Sequence, residues 1–297
     1  MSHYLIKSEP SLVKPERTNS EPPSPEIEIF HAHCPEVCSQ LNTNLTSLLE
    51  GFPTYSLDDL SKAKLMNRVD TKYLIHFSLL PQLLTHLQSH YSVLEIDKHR
   101  VFTYENIYFD TDDFQFYNMH HNGKLNRYKV RHRRYLETHT DFLEVKFKNN
   151  HKRTVKTRIK LNGEVNQDEI TDEMYLFLQQ QLQGGFVNLQ AKQFGRYQRI
   201  TLANESLGER VTLDFCLSFQ SENGKDWQTL EGVVIAELKQ EHKNVTSPFF
   251  ELMRQNNIKR NSFSKYCIGC CLTHTDLRIN NFKPKLIKLQ HVLSDYR

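Results

Sequence analysis

The stretch "RYKVRHRRYLETHTDFLEVKFKNNHKRTVKTRIKL" spans residues 127–161 and contains three runs with lysine or arginine at every second position. Successive side chains of a β-strand point to opposite faces, so a period of two collects one set on one side of a sheet. In residues 127–135, Arg127, Lys129, Arg131 and Arg133 share a face. In residues 142–148, Glu144, Lys146 and Lys148 lie opposite Leu143, Val145 and Phe147. In residues 154–161, Lys156, Arg158 and Lys160 lie opposite Val155, Ile159 and Leu161. If the three strands pair in order, their charged faces coincide. A half-buried antiparallel sheet with one solvated face accounts for any one strand. It accounts less well for three together, because solvated faces mix signs and this one is nearly all positive.

The charge is concentrated there. The 297-residue chain has a formal net charge of only +3. Residues 124–160 carry 13 Lys plus Arg against Glu137, Asp141 and Glu144, a local +10, so the remainder sums to −7. A mildly acidic body with one basic element is the footprint of an anion site. The arginines add to this, since a planar guanidinium fork suits bidentate phosphate contacts. Glu144 and Glu237 each precede a same-face lysine by two residues. Such an acid neutralises a cation or holds Mg²⁺ or Mn²⁺ together with substrate phosphate oxygens. None of the ten glycines forms G-x-x-x-x-G-K or G-x-G-x-x-G, which excludes the common nucleotide loops.

Residues 1–51 read as a flexible extension rich in Pro, Ser and Glu. Residues 52–273 read as one globular domain, and 274–297 as a basic tail with one helix. The domain is predicted to be α+β. "YSLDDLSKAKL" is a helix with Ser56 as its cap, and further helices are expected near 78–90, 112–120, 171–182, 246–256 and 262–273. The alternating runs make eight antiparallel strands with helices at the seams, which can close into a barrel. The N-terminus has no apolar signal core and no window is long and apolar enough for a membrane span, so a cytoplasmic location is expected. The six cysteines are then reduced. "HAHCPEVC" and "CIGCC" lack tidy zinc-knuckle spacing, so Cys267, Cys270 and Cys271 are read as small apolar residues of a helix. His120 and His121 fall in an expected turn before Gly123, and His132 alternates away from Arg131; all three are read as solvent or wall positions.

Eight short motifs occur in order: "NRVDTKYLI" (67–75), "NIYFDTDDFQFY" (106–117), "KVRHRRY" (129–135), "FLEVKFK" (142–148), "YQRITL" (197–202), "RVTLDF" (210–215), "AELK" (236–239) and "FSKY" (263–266). Together they resemble the VTC domain, the polyphosphate polymerase branch of the triphosphate tunnel metalloenzymes. The resemblance implies an antiparallel barrel around a basic tunnel, with ATP and polyphosphate as ligands and Mn²⁺ or Mg²⁺ as cofactor. By match to the family's motifs, Lys72, Arg131, Arg133, Arg199 and Arg210 would hold the triphosphate. Lys146, Lys156, Ser264 and Lys265 would guide the polyphosphate, with Arg158 competing with Lys156, and Glu237 would hold the metal. The chain carries neither the phosphate-sensing domain nor the membrane helices of eukaryotic relatives, and "NRVDTK" replaces the E-x-E-x-K strand of the cyclase and thiamine-triphosphatase branch. A membrane-protein or regulatory partner is left open. A hydrolase of the same fold stays the alternative enzyme. A polyanion- or nucleic-acid-binding module is the other class, although no nucleic acid is expected, because most aromatics alternate onto the apolar face.

Overall fold

The computed structural model describes residues 45–62, 69–162, 169–183 and 188–294. The expected flexible extension up to residue 44, including Cys34 and Cys38, lies outside them. The chain runs α1 (45–50), β1 (Thr54–Tyr55), α2 (Leu57–Lys62), β2 (Val69–His76), a 3₁₀ turn (Phe77–Leu79), α3 (Leu80–Leu87) and β3 (Ser92–Leu94). It continues with β4 (Phe102–Asp110), α4 (Gln115–His121), β5 (Arg127–Tyr135), β6 (Thr140–Lys148), β7 (Thr154–Leu161) and α5 (Asp172–Gln181). Then follow β8 (Gln190–Asn204), β9 (Glu209–Ser221), β10 (Gln228–Leu230), β11 (Val233–Gln240), α6 (Pro248–Gln255), β12 (Arg260–Asn261), α7 (Lys265–Thr273) and α8 (Lys283–Ser294).

The fold is α+β around one large sheet, ordered β12-β2-β11-β9-β8-β4-β5-β6-β7, with every neighbour on that path antiparallel. Short β1, β3 and β10 attach at its side. The expected eight-stranded barrel does not close: among the described residues no ladder joins β7 to the opposite edge. The two edges of the path are β7 and the short β12, which pairs with β2 through Arg260↔Tyr73 and Asn261↔Lys72. The sheet nevertheless curls. Register shifts interrupt β4/β8 at Tyr108/Phe109 and β8/β9 at Arg196/Gln198, and Cys216 on β9 has φ 49°. Bulges of this kind bend a strand and raise its twist.

The apolar sets of the alternating strands face outward, beneath helices. Val130, Leu143 and Val145 pack with Met174 and Leu178 of α5. Tyr73, Ile75, Leu213 and Leu238 pack with Leu45 and Leu49 of α1, Leu83 and Leu84 of α3, and Phe249 of α6. Burying one such leucine stabilises the fold by about 2 kcal/mol. The inner face is divided along its length. At one end Leu74, Val233, Ile235, Leu217 and Phe219 form a plug with Ile268 of α7 and Leu286 and Leu289 of α8. At the other end the inner face is charged.

Local chemistry fixes the helices that border the site. Ser56 and Asp59 cap α2 reciprocally, Ser56 Oγ accepting from Asp59 N at 3.3 Å and Asp59 accepting from Ser56 N at 3.1 Å. Asp110, fully buried at the end of β4, accepts the N–H groups of Thr111, Phe116 and Tyr117 at 2.7, 2.8 and 2.9 Å and thereby caps α4. The Tyr266 hydroxyl of α7 donates to the same carboxylate. His120 and His121 form the last turn of α4 rather than a loop, and His132 faces outward against Asp141 at 3.2 Å. No helix among the described residues is long and apolar enough to cross a membrane.

Candidate active site

Register decides which charges meet. Lys129, Lys146 and Lys156 are direct cross-strand neighbours on β5, β6 and β7. The next rank is Arg131, Glu144 and Arg158. On the other side of the curl Lys72 lies beside Glu237, and Asp70 beside Lys239. The curl brings both sides to one cavity of about 340 Å³, to which all eight long strands and the start of α7 contribute. Nine cations line it (Lys72, Lys129, Arg131, Arg133, Lys146, Lys156, Arg199, Lys239 and Lys265) against Asp70, Glu144, Asp214 and Glu237.

Three of those acids are each clamped by two cations. Glu144 accepts from Arg131 Nε at 2.6 Å and pairs with Lys156. Asp214 takes a bidentate contact from Arg199, 2.5 Å to Nε and 2.8 Å to Nη2, and pairs with Lys265. Glu237 pairs with Lys72 and, at 2.5 Å, with Lys239. Burial alone would raise these carboxyls. Arg131 overrides it at Glu144, Arg199 at Asp214 and Lys239 at Glu237, and all three stay well below the usual carboxylate range. They are ionised and weakly basic.

The remaining cations are held without acids. Arg133 donates Nε to Asn106 Oδ1 at 2.8 Å and Nη2 to the Tyr197 hydroxyl at 2.7 Å, 5.0 Å above the Tyr104 ring. Lys129 donates to Ser264 Oγ at 2.8 Å, while that oxygen also caps α7 by accepting Cys267 N–H at 3.2 Å. Lys146 has no ion-pair partner among the described residues. Burial, then Arg131, Lys156 and Arg133, push its ammonium well below the usual lysine range. Burial similarly brings Lys156 and Lys239 down to about 8. Lysines directly opposite one another on adjacent strands destabilise a sheet. The Lys129–Lys146–Lys156 row is therefore a cost to the empty fold that a bound anion removes.

Of the residues named from sequence, Lys72, Arg131, Arg133, Lys146, Lys156, Arg199, Glu237, Ser264 and Lys265 line the cavity. Arg158 and Arg210 do not. Arg158 is exposed, with its guanidinium 4.4 Å above the Phe142 ring. Arg210 lies beside Lys239 at the far end of β9, where its charge acts on Tyr55. Sequence reasoning overlooked Lys129 and Lys239 as site residues, although the same period of two puts them next to Arg131 and Glu237. The period of two also puts Asp214 on one face with Arg210 and Tyr197 beside Arg199, but their part in the site depends on partners in other strands.

The family model for the VTC domain matches residues 67–274, which include every lining residue of this cavity. The chain belongs to the VTC domain family. No curated protein matches this VTC domain chain. Among solved structures, it is similar to the putative adenylyl cyclase HpAC1 from Hippeastrum, whose description names a dominant triphosphatase activity. The identity is 14%, covering 71% of this chain and 98% of that one, with a TM-score of 0.46. It is also similar to a putative adenylate cyclase from Vibrio parahaemolyticus at 14% identity, covering 68% and 97%, with a TM-score of 0.41.

Proposed function

We propose that this VTC domain is a metal-dependent polyphosphate polymerase that moves the γ-phosphoryl group of ATP onto the end of a polyphosphate held in the cavity. The observation that carries the reading is the lysine row across β5, β6 and β7, unfavourable when empty and neutralised by a polyanion. A triphosphate brings about four negative charges at neutral pH. Lys72, Arg131, Arg133 and Arg199 surround the space for it. Phosphoryl transfer asks a protein mainly for positioning and charge stabilisation, which these groups supply.

The carboxylates favour an anionic acceptor over water. Glu144, Asp214 and Glu237 are poor general bases, because paired cations hold each of them ionised. A terminal phosphate of polyphosphate is already ionised and needs no base. One of its oxygens forms the new P–O bond to the γ-phosphorus, the β–γ bridging bond breaks, and ADP departs with the electron pair. Lys265 and Lys156 hold the acceptor against its charge repulsion with ATP.

The donor set suits a divalent metal shared with substrate. Glu237 and Asp70 both border Lys239, and no cluster of three or more His, Cys, Asp or Glu exists among the described residues. Mg²⁺ characteristically takes one or two carboxylates and completes its shell with phosphate oxygens and water. Glu237 and Asp70 would hold Mg²⁺ or Mn²⁺ there, and the ion would neutralise charge on the transferring phosphoryl oxygens. The test is to incubate the full chain with ATP and Mn²⁺ and size the product on a gel. A ladder of polyphosphate with ADP is expected. Orthophosphate or pyrophosphate alone would replace the polymerase by a hydrolase. Glu237→Gln should abolish the metal-dependent turnover, and near-normal turnover would remove Glu237 from the metal site.

A further inference from the structure

β7 is one end of the sheet path, and among the described residues no strand pairs with its outer edge. Such an edge offers a row of unpaired N–H and C=O groups to a further strand. Its two faces differ in chemistry. Lys156, Arg158 and Lys160 share the face from which Lys156 enters the cavity, with Val155, Thr157 and Ile159 on the other. Lys156 is taken up by Glu144. Arg158 and Lys160 are exposed, have no acid partner among the described residues and do not line the cavity. Val155 is exposed as well. Two cations, an apolar strip and a row of backbone groups thus stand open side by side. A second copy of β7 fits badly there, because pairing two such edges would set lysine and arginine opposite lysine and arginine.

The edge suits a strand with acids at alternate positions and apolar residues between them. Residues 26–30 read Glu-Ile-Glu-Ile-Phe, a period of two with Glu26 and Glu28 on one side and Ile27 and Ile29 on the other. They lie outside the described residues, which begin at Leu45. Leu45 packs in one cluster with Tyr73 of β2. β2 and β7 send Lys72 and Lys156 into one cavity, so that start lies across the seam from the open edge. The 14 residues 31–44 can span about 49 Å when extended at about 3.5 Å each, enough to cross it.

We propose that residues 26–30 dock within the same chain as a strand on the open edge of β7. Glu26 and Glu28 would face Arg158 and Lys160, and Ile27 and Ile29 would extend the apolar face of Val155 and Ile159. Both faces of the new pair are then matched, opposite charges on one and branched apolar side chains on the other. The cations engaged are those the cavity leaves out, so the strand adds a stave beside the seam and takes no lining residue from the cavity. The inference holds whichever anion the cavity binds.

The test is residue-resolved amide exchange of the full chain without ligand. Alternate amides of an edge strand donate to its neighbour, so every second residue of 26–30 should exchange at least about tenfold more slowly than in a free peptide of that sequence. Glu26→Lys/Glu28→Lys leaves every described residue unchanged and should bring the exchange back to within about twofold of the free rate. Arg158→Glu/Lys160→Glu should do the same from the other side. Combining the two pairs restores opposite charges and should restore at least about fivefold protection. Glu21→Lys/Glu36→Lys, which makes the same charge change outside the segment, should keep the wild-type protection. Free exchange of residues 26–30 in the wild type would overturn the docking. So would protection that survives either charge reversal, or that fails to return when the two are combined. Protection that grows with protein concentration would give the edge to the segment of a second copy and overturn docking within one chain.

Discussion

Lys146 carries the electrostatic tension of this protein in one side chain. It stands between Lys129 and Lys156 in the sheet register and lacks an acid partner. Burial and the neighbouring cations disfavour its ammonium form in the empty cavity. Removing that charge should therefore cost the fold little while costing the ligand much. Lys146→Met is expected to keep or raise the urea midpoint and to weaken tripolyphosphate binding about tenfold, about 1.4 kcal/mol. Calorimetric titration beside an unfolding curve checks both, and unchanged affinity would remove Lys146 from the site. Its face was legible from the alternation in "FLEVKFK". Arg158 and Arg210 had equally good alternation and are direct cross-strand neighbours of the lining Glu144 and Lys239, yet they miss the cavity, because a period of two reports the side of a sheet and not where a long side chain ends.

Among elements, the three clamps tie strand to strand and strand to helix. Asp214 of β9 joins Arg199 of β8 to Lys265 at the start of α7, and Tyr266 of the same helix reaches Asp110 at the end of β4. Asp214→Asn would leave two cations facing each other in a buried site. Breaking such a pair costs about 3–5 kcal/mol. The expected result is a lower melting temperature that tripolyphosphate partly restores, read by thermal unfolding with and without the ligand. A variant that melts like the wild type would show that the clamp contributes nothing net. The strands and most helices follow from the sequence, since alternation and Ser56 as a cap are local signals. The role of α8 does not. A helix read as a basic tail places Leu286 and Leu289 in the inner plug, which depends on apolar residues far along the chain.

For the whole molecule the open seam matters most. Lys156 on β7 and Lys72 on β2 sit on the two flanks of the sheet yet line one cavity. β7 is the less supported flank, with Val155 on its outer face 51% exposed. A polyanion that contacts both flanks would draw them together by charge where no backbone ladder does. Amide exchange in residues 154–161 should slow at least about fivefold on saturation with tripolyphosphate, with smaller changes in the central strand β8. Equal exchange in free and bound protein would mean that the ligand leaves β7 untouched.

By itself the sequence determined the sign of the charge, the face each charged residue takes and the family to which the chain belongs. The first two follow from patterns written within single strands, and the third from the order of short motifs along the chain. Only the tertiary structure decided that the inner face splits into an apolar plug and a charged cavity, that three lysines align across three strands, and that no ladder among the described residues joins β7 to β12. Those outcomes depend on register, bulges and packing between segments far apart in the chain, where a shift of one residue turns a side chain to the other face.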